Sequence, residues 1–304
     1  MLNIFNRLKL NLFRCYFQLK YERKNLEIKK EQMIGQGNTA EIYKLEDDKI
    51  LKLFRNGISK DIIEREYLNG IAIQKILDCV PKVYEMVDVN DRHGIIYQRI
   101  NGIDMLKTTL TCLWRINYYA KKLAHYHLNI HKPIEENIIT TKESLEENLN
   151  CVDVLTDENK EIIRKYLKEL PDGNELCHFD FHPGNIMIRN RDAIILDWMT
   201  ACRGDGCADV ARTCILLKYG EVTHAPWIMR KLISFSQRHI YRVYLKEYLL
   251  ISRKSIEDIS KWEAPVAAAR LREWISEDEK KSLIQLVNNH CKEILKGSRE
   301  NPSS

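Results

Sequence analysis

The sequence predicts an α+β protein in two lobes, a small antiparallel-sheet lobe followed by a larger, mostly helical lobe. Short apolar runs separated by turn residues fill the chain from Ile34 to about Ile100, which is typical of strands. From Asp104 onward apolar residues recur at helical spacing. At 304 residues the chain is long enough to bury the core of either one large domain or two lobes.

The bulk composition indicates an ordinary globular protein. Hydrophobic residues make up 44% and charged residues 30% of the chain, which leaves little room for long disordered regions. The net charge of +5 is mild for this length, so it does not indicate a nucleic-acid partner. The nine cysteines are odd in number and include no C-x-x-C pair. They predict reduced cysteines packed in a cytoplasmic protein rather than a disulfide framework.

Residues 1–25 are predicted to form a basic amphipathic extension. The first 20 residues contain no acid, and their basic residues are Arg7, Lys9, Arg14 and Lys20. Apolar residues fall at helical spacing at Phe5, Leu8, Leu12, Tyr16 and Leu19. Two interpretations stand, a helix on a membrane surface and an extension packed on the first lobe, and we favour the second. No apolar run is long enough to span a bilayer, and no signal-peptide pattern is present.

A glycine loop between two strands is predicted from Ile34 to Tyr43. The spacing Gly-x-Gly-x-x-Ala also occurs in Rossmann loops, but those open a helix and are followed by an acid about 20 residues later. Here the chain continues as a hairpin around Asp47, and the later position holds Arg55. The sequence therefore predicts a loop that folds over phosphates. Its candidate binding residues are Gly35, Gly37, Asn38 and Thr39.

Lys52 lies in an apolar strand, between Leu51 and Leu53. Such a lysine is either an edge residue pointing to water or a cation that binds phosphate, and the preceding glycine loop favours the phosphate-binding role. A buried cation needs an anionic partner. A helix is predicted to begin at Ser59, and it carries Glu66 as the first candidate partner and Glu64 as the second.

The segment after this helix is predicted to form two more strands and then three helices. The strands comprise residues 82–87 and 94–100, and the helices lie within residues 104–132 and 142–170. Three histidines, His125, His127 and His131, invite a metal hypothesis. Their spacings of two and four do not place all three on one helical face, so we predict solvated or packed histidines instead.

The chemistry is concentrated in the stretch His178-Phe179-Asp180-Phe181-His182-Pro183-Gly184-Asn185, which is followed by an apolar run that ends at Asp197. Phosphoryl transfer needs a carboxylate to take the proton of the acceptor and oxygen ligands for magnesium. Asp180 is the candidate for the first role. Asn185 and Asp197 are the candidates for the second. The order His-x-Asp-x-x-x-x-Asn, with a later strand that ends in Asp, is the order found in kinases.

This stretch resembles the signature of the aminoglycoside phosphotransferase and choline kinase-like family of small-molecule kinases. The sequence Asp197-Trp198-Met199 stands where protein kinases usually have Asp-Phe-Gly, which is similar to the small-molecule branch. The resemblance covers about residues 26–275 and implies a protein-kinase-like fold. It also implies ATP or GTP as the phosphoryl donor, with magnesium, in a cleft between the lobes of a cytoplasmic enzyme.

The resemblance assigns roles to further residues. Backbone groups of about Gln98 to Ile100 would contact the purine, and Lys52, anchored by Glu66, would hold the phosphates. Asp209 would be a buried carboxylate that accepts hydrogen bonds from the catalytic loop. The implied domains are an N-lobe over 26–100, a C-lobe over 101–297 and a tail over 298–304.

The acceptor is left open among aminoglycosides, choline, amino-alcohols and other metabolites. The helical region 225–296 holds Trp262, Arg270 and Trp274, which line an acceptor pocket in one interpretation and pack in the core in the other. Asp205 is a candidate contact for a cationic acceptor.

Three alternatives belong to other classes. The first is a nucleotide-binding pseudokinase that acts as an interaction module, although the Lys, Glu, Asp, Asn, Asp set is complete. The second is a protein kinase, which the chain disfavours because no Ala-Pro-Glu segment follows Asp197. The third is a metallohydrolase with His178, Asp180 and His182 as ligands, which Pro183 disfavours by turning the chain.

Overall fold

A computed structural model of the protein describes residues 28–37, 39–189, 192–221 and 227–300. The predicted extension over residues 1–25 and the candidate Asn38 therefore lie outside the described residues. The chain divides into two compact units, Met1–Asn101 and Gly102–Ser304, and each is described by itself.

The first unit contains a five-stranded antiparallel sheet in the order β1-β2-β3-β5-β4. Its strands are β1 (Met33–Gln36), β2 (Ala40–Lys44), β3 (Lys49–Phe54), β4 (Val83–Val89) and β5 (Arg92–Gln98). The predicted hairpin around Asp47 is confirmed, because β2 pairs with β3 in register from Ala40–Phe54 to Lys44–Ile50. Strand β3 is the middle strand of this sheet.

Helix α1 (Lys60–Ile73) covers one face of the sheet. Side chains alternate between the faces of a strand, so Phe54 packs with Ile63 of α1 while Leu51 and Leu53 belong to a cluster on the opposite face. The helix approaches β4 closely at Gly70, where a Cβ would lie 2.6 Å from a methyl group of Val83. This close packing fixes the position of α1 over β3.

The second unit contains two small sheets. One has the order β6-β8-β9, formed by β6 (Ile103–Asp104), β8 (Ile186–Arg189) and β9 (Asp192–Ile195). The other pairs β7 (Glu175–Cys177) with β10 (Cys202–Gly204). The helical prediction from Asp104 onward was wrong at its first residue, because Ile103–Asp104 pairs with β8 and the Asp104 side chain caps the following helix.

The remainder of the second unit is helical. Its helices are α2 (Met105–Thr111), α3 (Ile116–Ile130), α4 (Thr141–Asn150), α5 (Asp157–Glu169), α6 (Gly206–Tyr219), α7 (Trp227–Ser252), α8 (Ile256–Ser260), α9 (Glu263–Arg270) and α10 (Glu277–Glu300). Thr156 caps α5 by accepting from the backbone N–H of Asn159. The last helix continues to Glu300, past the point where the sequence suggested a tail.

Among the described residues, no helix has the length and apolar character needed to cross a membrane. The described cysteines are free thiols, and they are Cys79, Cys112, Cys151, Cys177, Cys202, Cys207, Cys214 and Cys291. The predicted α+β composition, with a small antiparallel sheet before a mostly helical part, is confirmed.

Candidate active site

The first unit holds a buried ion pair between β3 and α1. Lys52 Nζ lies 2.8 Å from Glu66 Oε1, and the Tyr97 hydroxyl donates to the same oxygen at 2.8 Å. The pairing follows from the fold, because Lys52 shares the face of Phe54 that α1 covers. The predicted partner Glu66 is confirmed as the contact, whereas Glu64 lies 3.7 Å from Lys60. A lysine held in this way is fixed in direction by its anionic partner.

The glycine loop joins β1 to β2. The Gly37 N–H donates to the Ala40 carbonyl at 2.8 Å, and the Arg55 N–H donates to the Thr39 carbonyl at 2.8 Å. Neither Gly35 nor Gly37 has a positive φ, and an added Cβ would meet nothing closer than 3.8 Å. The fold itself therefore does not require glycine at these positions. The physical reason for glycine at these two positions is then that the missing Cβ leaves room for a ligand close to the backbone.

The two residues predicted to contact a purine are Gln98, the last residue of β5, and Ile100, which follows the strand. The Gln98 N–H donates to the Lys82 carbonyl at 2.8 Å, and the Gln98 side chain accepts from the Lys82 N–H. The Arg99 N–H donates to the Asp48 carbonyl at 2.7 Å. Within the described part of the chain, the Ile100 N–H makes no such bond, so Ile100 is the residue of the two with a backbone donor left for a ligand.

In the second unit, Asp180 lies in the loop between β7 and a short 3-10 turn, Pro183–Asn185. The side chain of Asp180 is 32% exposed, and its Oδ2 accepts from Asn185 Nδ2 at 3.0 Å. His182 Nε2 lies 3.7 Å from the same oxygen. The carboxylate is thus accessible but held in one position.

The backbone of this loop is fixed by side chains. The carbonyl groups of the four residues from His178 to Phe181 each accept one side-chain hydrogen bond, in order from Thr200, Arg212, Asn185 and Thr213. Phe179 has φ of +62°, a conformation that costs free energy in a residue with a Cβ and that these bonds maintain. A loop held at every peptide positions Asp180 before any substrate arrives.

Asp209, at the start of α6, anchors the same loop. Its two carboxylate oxygens accept from the N–H groups of His178 at 2.6 Å and Phe179 at 2.8 Å. The predicted contact of this buried carboxylate with the loop is therefore confirmed. Asp209 also lies in the first turn of its helix, where the helix dipole favours a negative charge.

His127 of α3 and His131, the residue that follows the end of α3, are both buried and pack against Asp209. Their Nε2 atoms lie 3.0 and 3.4 Å from Asp209 Oδ2, and their Nδ1 atoms contact the hydroxyls of Tyr244 and Tyr248. The three ligand-type atoms lie within 4.8 Å of one another. Because Asp209 already accepts two backbone bonds and structural zinc sites normally have four protein ligands, we interpret this cluster as packing that supports the loop.

The packed-histidine prediction is confirmed for His127 and His131, which share one helical face. His125 lies on another face of α3, is exposed, and contacts Glu247 at 3.2 Å. Burial lowers the pKa of His127 to about 4, because desolvation outweighs the attraction of Asp209, whose own pKa is held well below its usual value. His127 is therefore neutral at neutral pH.

Asn185 lies just before β8 and Asp197 just after β9, and the pairing of the two strands brings these ends of the hairpin together. Ile186 pairs with Ile195, and the Leu196 N–H donates to the Asn185 carbonyl at 2.8 Å. Both amide hydrogens of Asn185 are directed to Asp180, so its Oδ1 is the atom left for a ligand. Strand β9 ends at Ile195, two residues earlier than the predicted end at Asp197. Asp197 is exposed and has φ of +61°, which sets the direction of its side chain.

The charge state of Asp180 follows from its neighbours. Burial alone would raise the pKa of its carboxyl group, but the neighbouring His182 and Arg212 keep the pKa well below its usual value. The group is therefore ionised at neutral pH.

Arg212 is a site residue that the sequence analysis missed. Its guanidinium donates to the Phe179 carbonyl at 3.0 Å and to Glu273 at 2.6 Å. Glu273 in turn binds Arg270, which binds the buried Glu279. One signal was present in the sequence, since Arg212 is a charged residue three positions after Asp209, next to the small apolar residue Ala211.

The two histidines of the signature do not form a metal site with Asp180. His178 is buried, and its ring nitrogens donate to the Leu196 carbonyl at 2.9 Å and accept from the Asp180 N–H at 3.1 Å. His182 Nδ1 accepts from the Gly184 N–H at 3.1 Å. Because His178 has no ring nitrogen left, this geometry does not support the metallohydrolase alternative.

The candidate acceptor residues separate into different environments. Trp262 is fully buried, and its Nε1 donates to Asp205 Oδ2 at 3.1 Å, while Asp205 also caps α6. The predicted contact of Asp205 with a cationic acceptor is therefore not supported, because both carboxylate oxygens are used internally. Arg270 is buried in its ion pairs, whereas Trp274 is 100% exposed.

An α+β chain with this lysine–glutamate pair and this Asp-Asn-Asp arrangement has the features of the kinase-like phosphotransferases. A family model described as the phosphotransferase enzyme family matches residues 32–242. The chain therefore belongs to the phosphotransferase enzyme family, and it is an enzyme of the small-molecule kinase class. The predicted family is confirmed. No curated protein matches the sequence.

Solved structures show the same protein-kinase-like fold at low sequence identity. The chain is similar to a thermostable mutant of aminoglycoside phosphotransferase APH(4)-Ia with ADP and hygromycin B (TM-score 0.51, 12% identity, 87% of this chain and 92% of that chain). It is similar to the streptomycin-ATP complex of APH(2")-IIa (0.51, 15%, 86% and 89%). It is also similar to aminoglycoside-3'-phosphotransferase of type VIII (0.52, 13%, 84% and 97%).

Proposed function

We propose that the protein transfers the γ-phosphoryl group of ATP to a hydroxyl group of a small molecule. The observation that carries this proposal is the state of Asp180. It is an ionised carboxylate, partly exposed, in a loop whose peptide groups are held from both sides. Family membership and the nucleotides named in the neighbouring complexes support ATP as the donor.

Each candidate residue then has a role that its chemistry allows. Asp180 orients the acceptor hydroxyl and accepts its proton as the bond to phosphorus forms. Lys52, anchored by Glu66, binds phosphate oxygens, and the backbone at Gly35 and Gly37 lies close to them. The Ile100 N–H contacts the purine, an arrangement that GTP satisfies as well as ATP.

Asn185 and Asp197 fit a magnesium ion. Magnesium prefers oxygen ligands, and the free Oδ1 of Asn185 and the carboxylate of Asp197 stand at adjacent ends of one hairpin. A bound magnesium ion would neutralise charge on the transferring phosphates.

The proposed acceptor is an alcohol of the amino-sugar or amino-alcohol type. Hygromycin B and streptomycin occur in the neighbouring complexes, which makes amino sugars the first class to test. The free thiols of the described cysteines suit a reducing compartment, and we place the enzyme in the cytoplasm.

The experiment that tests the donor is thermal unfolding with ATP or GTP, each with and without magnesium. We expect a raised Tm with a nucleotide only when magnesium is present, and a further rise with an acceptor. No shift with any nucleotide would contradict the proposal and would support a chain that has lost this binding.

The experiment that tests the catalytic role is the variant Asp180→Asn. It keeps an acceptor oxygen for Asn185 but removes the base, so we expect turnover to fall by roughly 10²–10⁴ with nucleotide affinity unchanged. Asp192→Asn, at an exposed strand residue, is the matched control and should retain the wild-type rate. Equal rates in both variants would exclude Asp180 as the base.

A further inference from the structure

A ridge of aromatic and basic residues runs along an exposed side of the second unit. It begins in the 3-10 turn Leu113–Arg115 and continues on α3. Trp114, Tyr118, Lys122 and Tyr126 follow one another at intervals of four residues. Trp114 stands in the 3-10 turn, and the other three lie along one line of the helix surface. Leu113 and Arg115 flank Trp114. We call these six residues the Trp114 ridge.

The apolar part of the Trp114 ridge is exposed to an unusual degree. The Trp114 side chain is 81% exposed, and Tyr118 and Leu113 are also exposed. A large indole is seldom left in water without a partner, because its burial contributes more free energy than that of most side chains. In the part of the chain that the structure describes, the hydrogen bonds that hold the loop around Asp180 involve none of the six ridge residues, so the active site does not account for the ridge.

The charge of this segment has one sign. Residues 105–134 contain no Asp or Glu, whereas they include Lys107, Arg115, Lys121, Lys122 and Lys132. Lys121 and the exposed His125 are balanced by Glu247 of α7. Arg115 and Lys122 have no ion pair with any residue that the structure describes. Both lie instead over the ring of Tyr118, with Arg115 Cζ 5.2 Å and Lys122 Nζ 5.9 Å from the ring centroid.

This combination matches one kind of partner. Tryptophan and tyrosine side chains prefer the headgroup region of a bilayer, where one side of the ring is apolar and the other wet. Lysine and arginine near such a surface are attracted by anionic lipids, and the attraction acts over about one Debye length. We propose that the Trp114 ridge docks the enzyme reversibly on an anionic membrane surface. An acidic protein would satisfy the charges but would give no reason for an unpaired, protruding tryptophan.

The test is sedimentation of the full-length protein with vesicles of two compositions. We expect binding to vesicles of phosphatidylcholine with about 30% phosphatidylglycerol, weakened as salt is raised, and little binding to pure phosphatidylcholine. The variant with Trp114→Ser and Lys122→Gln should bind the anionic vesicles at least tenfold more weakly. Its Tm and its rate on soluble substrates should match those of the wild type.

The matched control is Trp274→Ser, which removes a tryptophan that is even more solvent-exposed but lies outside the ridge. It should bind like the wild type. Undiminished binding of the double variant would overturn the proposal, since the contact would then come from another part of the chain. Equal binding to neutral vesicles, or no binding to either kind, would overturn it as well.

Discussion

At the scale of single residues, Lys52 depends on Glu66 because both side chains are buried. Removing one member leaves the other charge in a low-dielectric interior, which costs about 3–5 kcal/mol. We expect Lys52→Met and Glu66→Gln each to destabilise the protein by about this amount and to weaken nucleotide binding. The double variant should lose less than the sum of the two, as urea unfolding of all four proteins would measure. Additive losses would mean that the pair does not act as a unit.

Substitution of Gly37 tests nucleotide binding without disturbing the fold. An added Cβ would meet only the Ala40 carbonyl, at 3.9 Å, and the backbone has no positive φ. We therefore expect Gly37→Ala to leave Tm unchanged within a degree or two and to weaken ATP binding about tenfold or more. Gly70→Ala is the opposite case, because its Cβ would contact Val83 at 2.6 Å and lower the Tm. Unchanged ATP affinity in Gly37→Ala would remove the glycine loop from the nucleotide site.

At the scale of elements, Arg212 connects α6 to the catalytic loop and to Glu273. Lysine keeps the charge but cannot reach both acceptors with a planar fork. We expect Arg212→Lys to lower turnover about tenfold, because the Phe179 carbonyl loses its donor, while the affinity for nucleotide stays the same. Arg272→Lys is the control and should behave as the wild type, because Arg272 is exposed and lies just after the end of α9. A change in nucleotide affinity without a change in turnover would contradict this role.

The sequence predicted the elements that local spacing determines. The β2–β3 hairpin, the helix α5 and the strand that precedes Asp197 each follow from neighbouring residues, and so does the order of Asp180, Asn185 and Asp197. The pairing of Lys52 with Glu66 was also within reach, because a strand face and a helix face each have a fixed period.

The contacts that the sequence did not predict join residues far apart in the chain. Arg212 and Phe179 are separated by 33 residues, and Arg212 and Glu273 by 61. The same holds for Asp205. Its position in the sequence suggested a free carboxylate, but in the fold one oxygen accepts from Trp262 and the other caps α6. No local pattern records such partners, since they depend on how helices pack.

At the scale of the whole molecule, the two units place different demands on stability. The first unit carries its buried charge as a pair, while the second carries Asp209 beside two histidines that are buried with it. The first arrangement contains no histidine, the side chain whose ordinary pKa lies closest to neutral pH. The second contains His127, a buried neutral base, so mild acid acts on this arrangement.

The stability of the protein should therefore fall between pH 6.5 and about 4. In the folded chain His127 has a pKa of about 4, whereas in the unfolded chain it protonates near 6.5, so the unfolded state binds more protons across this range. The stabilisation is complete above pH 6.5 and is lost as the pH falls, by roughly 3 kcal/mol. Asp209, whose pKa is also lowered on folding, adds a loss of the same sign at still lower pH.

Urea unfolding at pH 7.0, 5.5 and 4.5 measures this effect. His127→Gln should be less stable than the wild type at pH 7 because the ring packing is lost, but its stability should change less with pH. His125→Gln, at an exposed histidine of the same helix, should keep the wild-type pH dependence. Parallel pH curves for the wild type and His127→Gln would mean that the histidine is not the titrating group. A flattened curve for His127→Gln alone would tie the acid sensitivity of the protein to the residues that hold its catalytic loop.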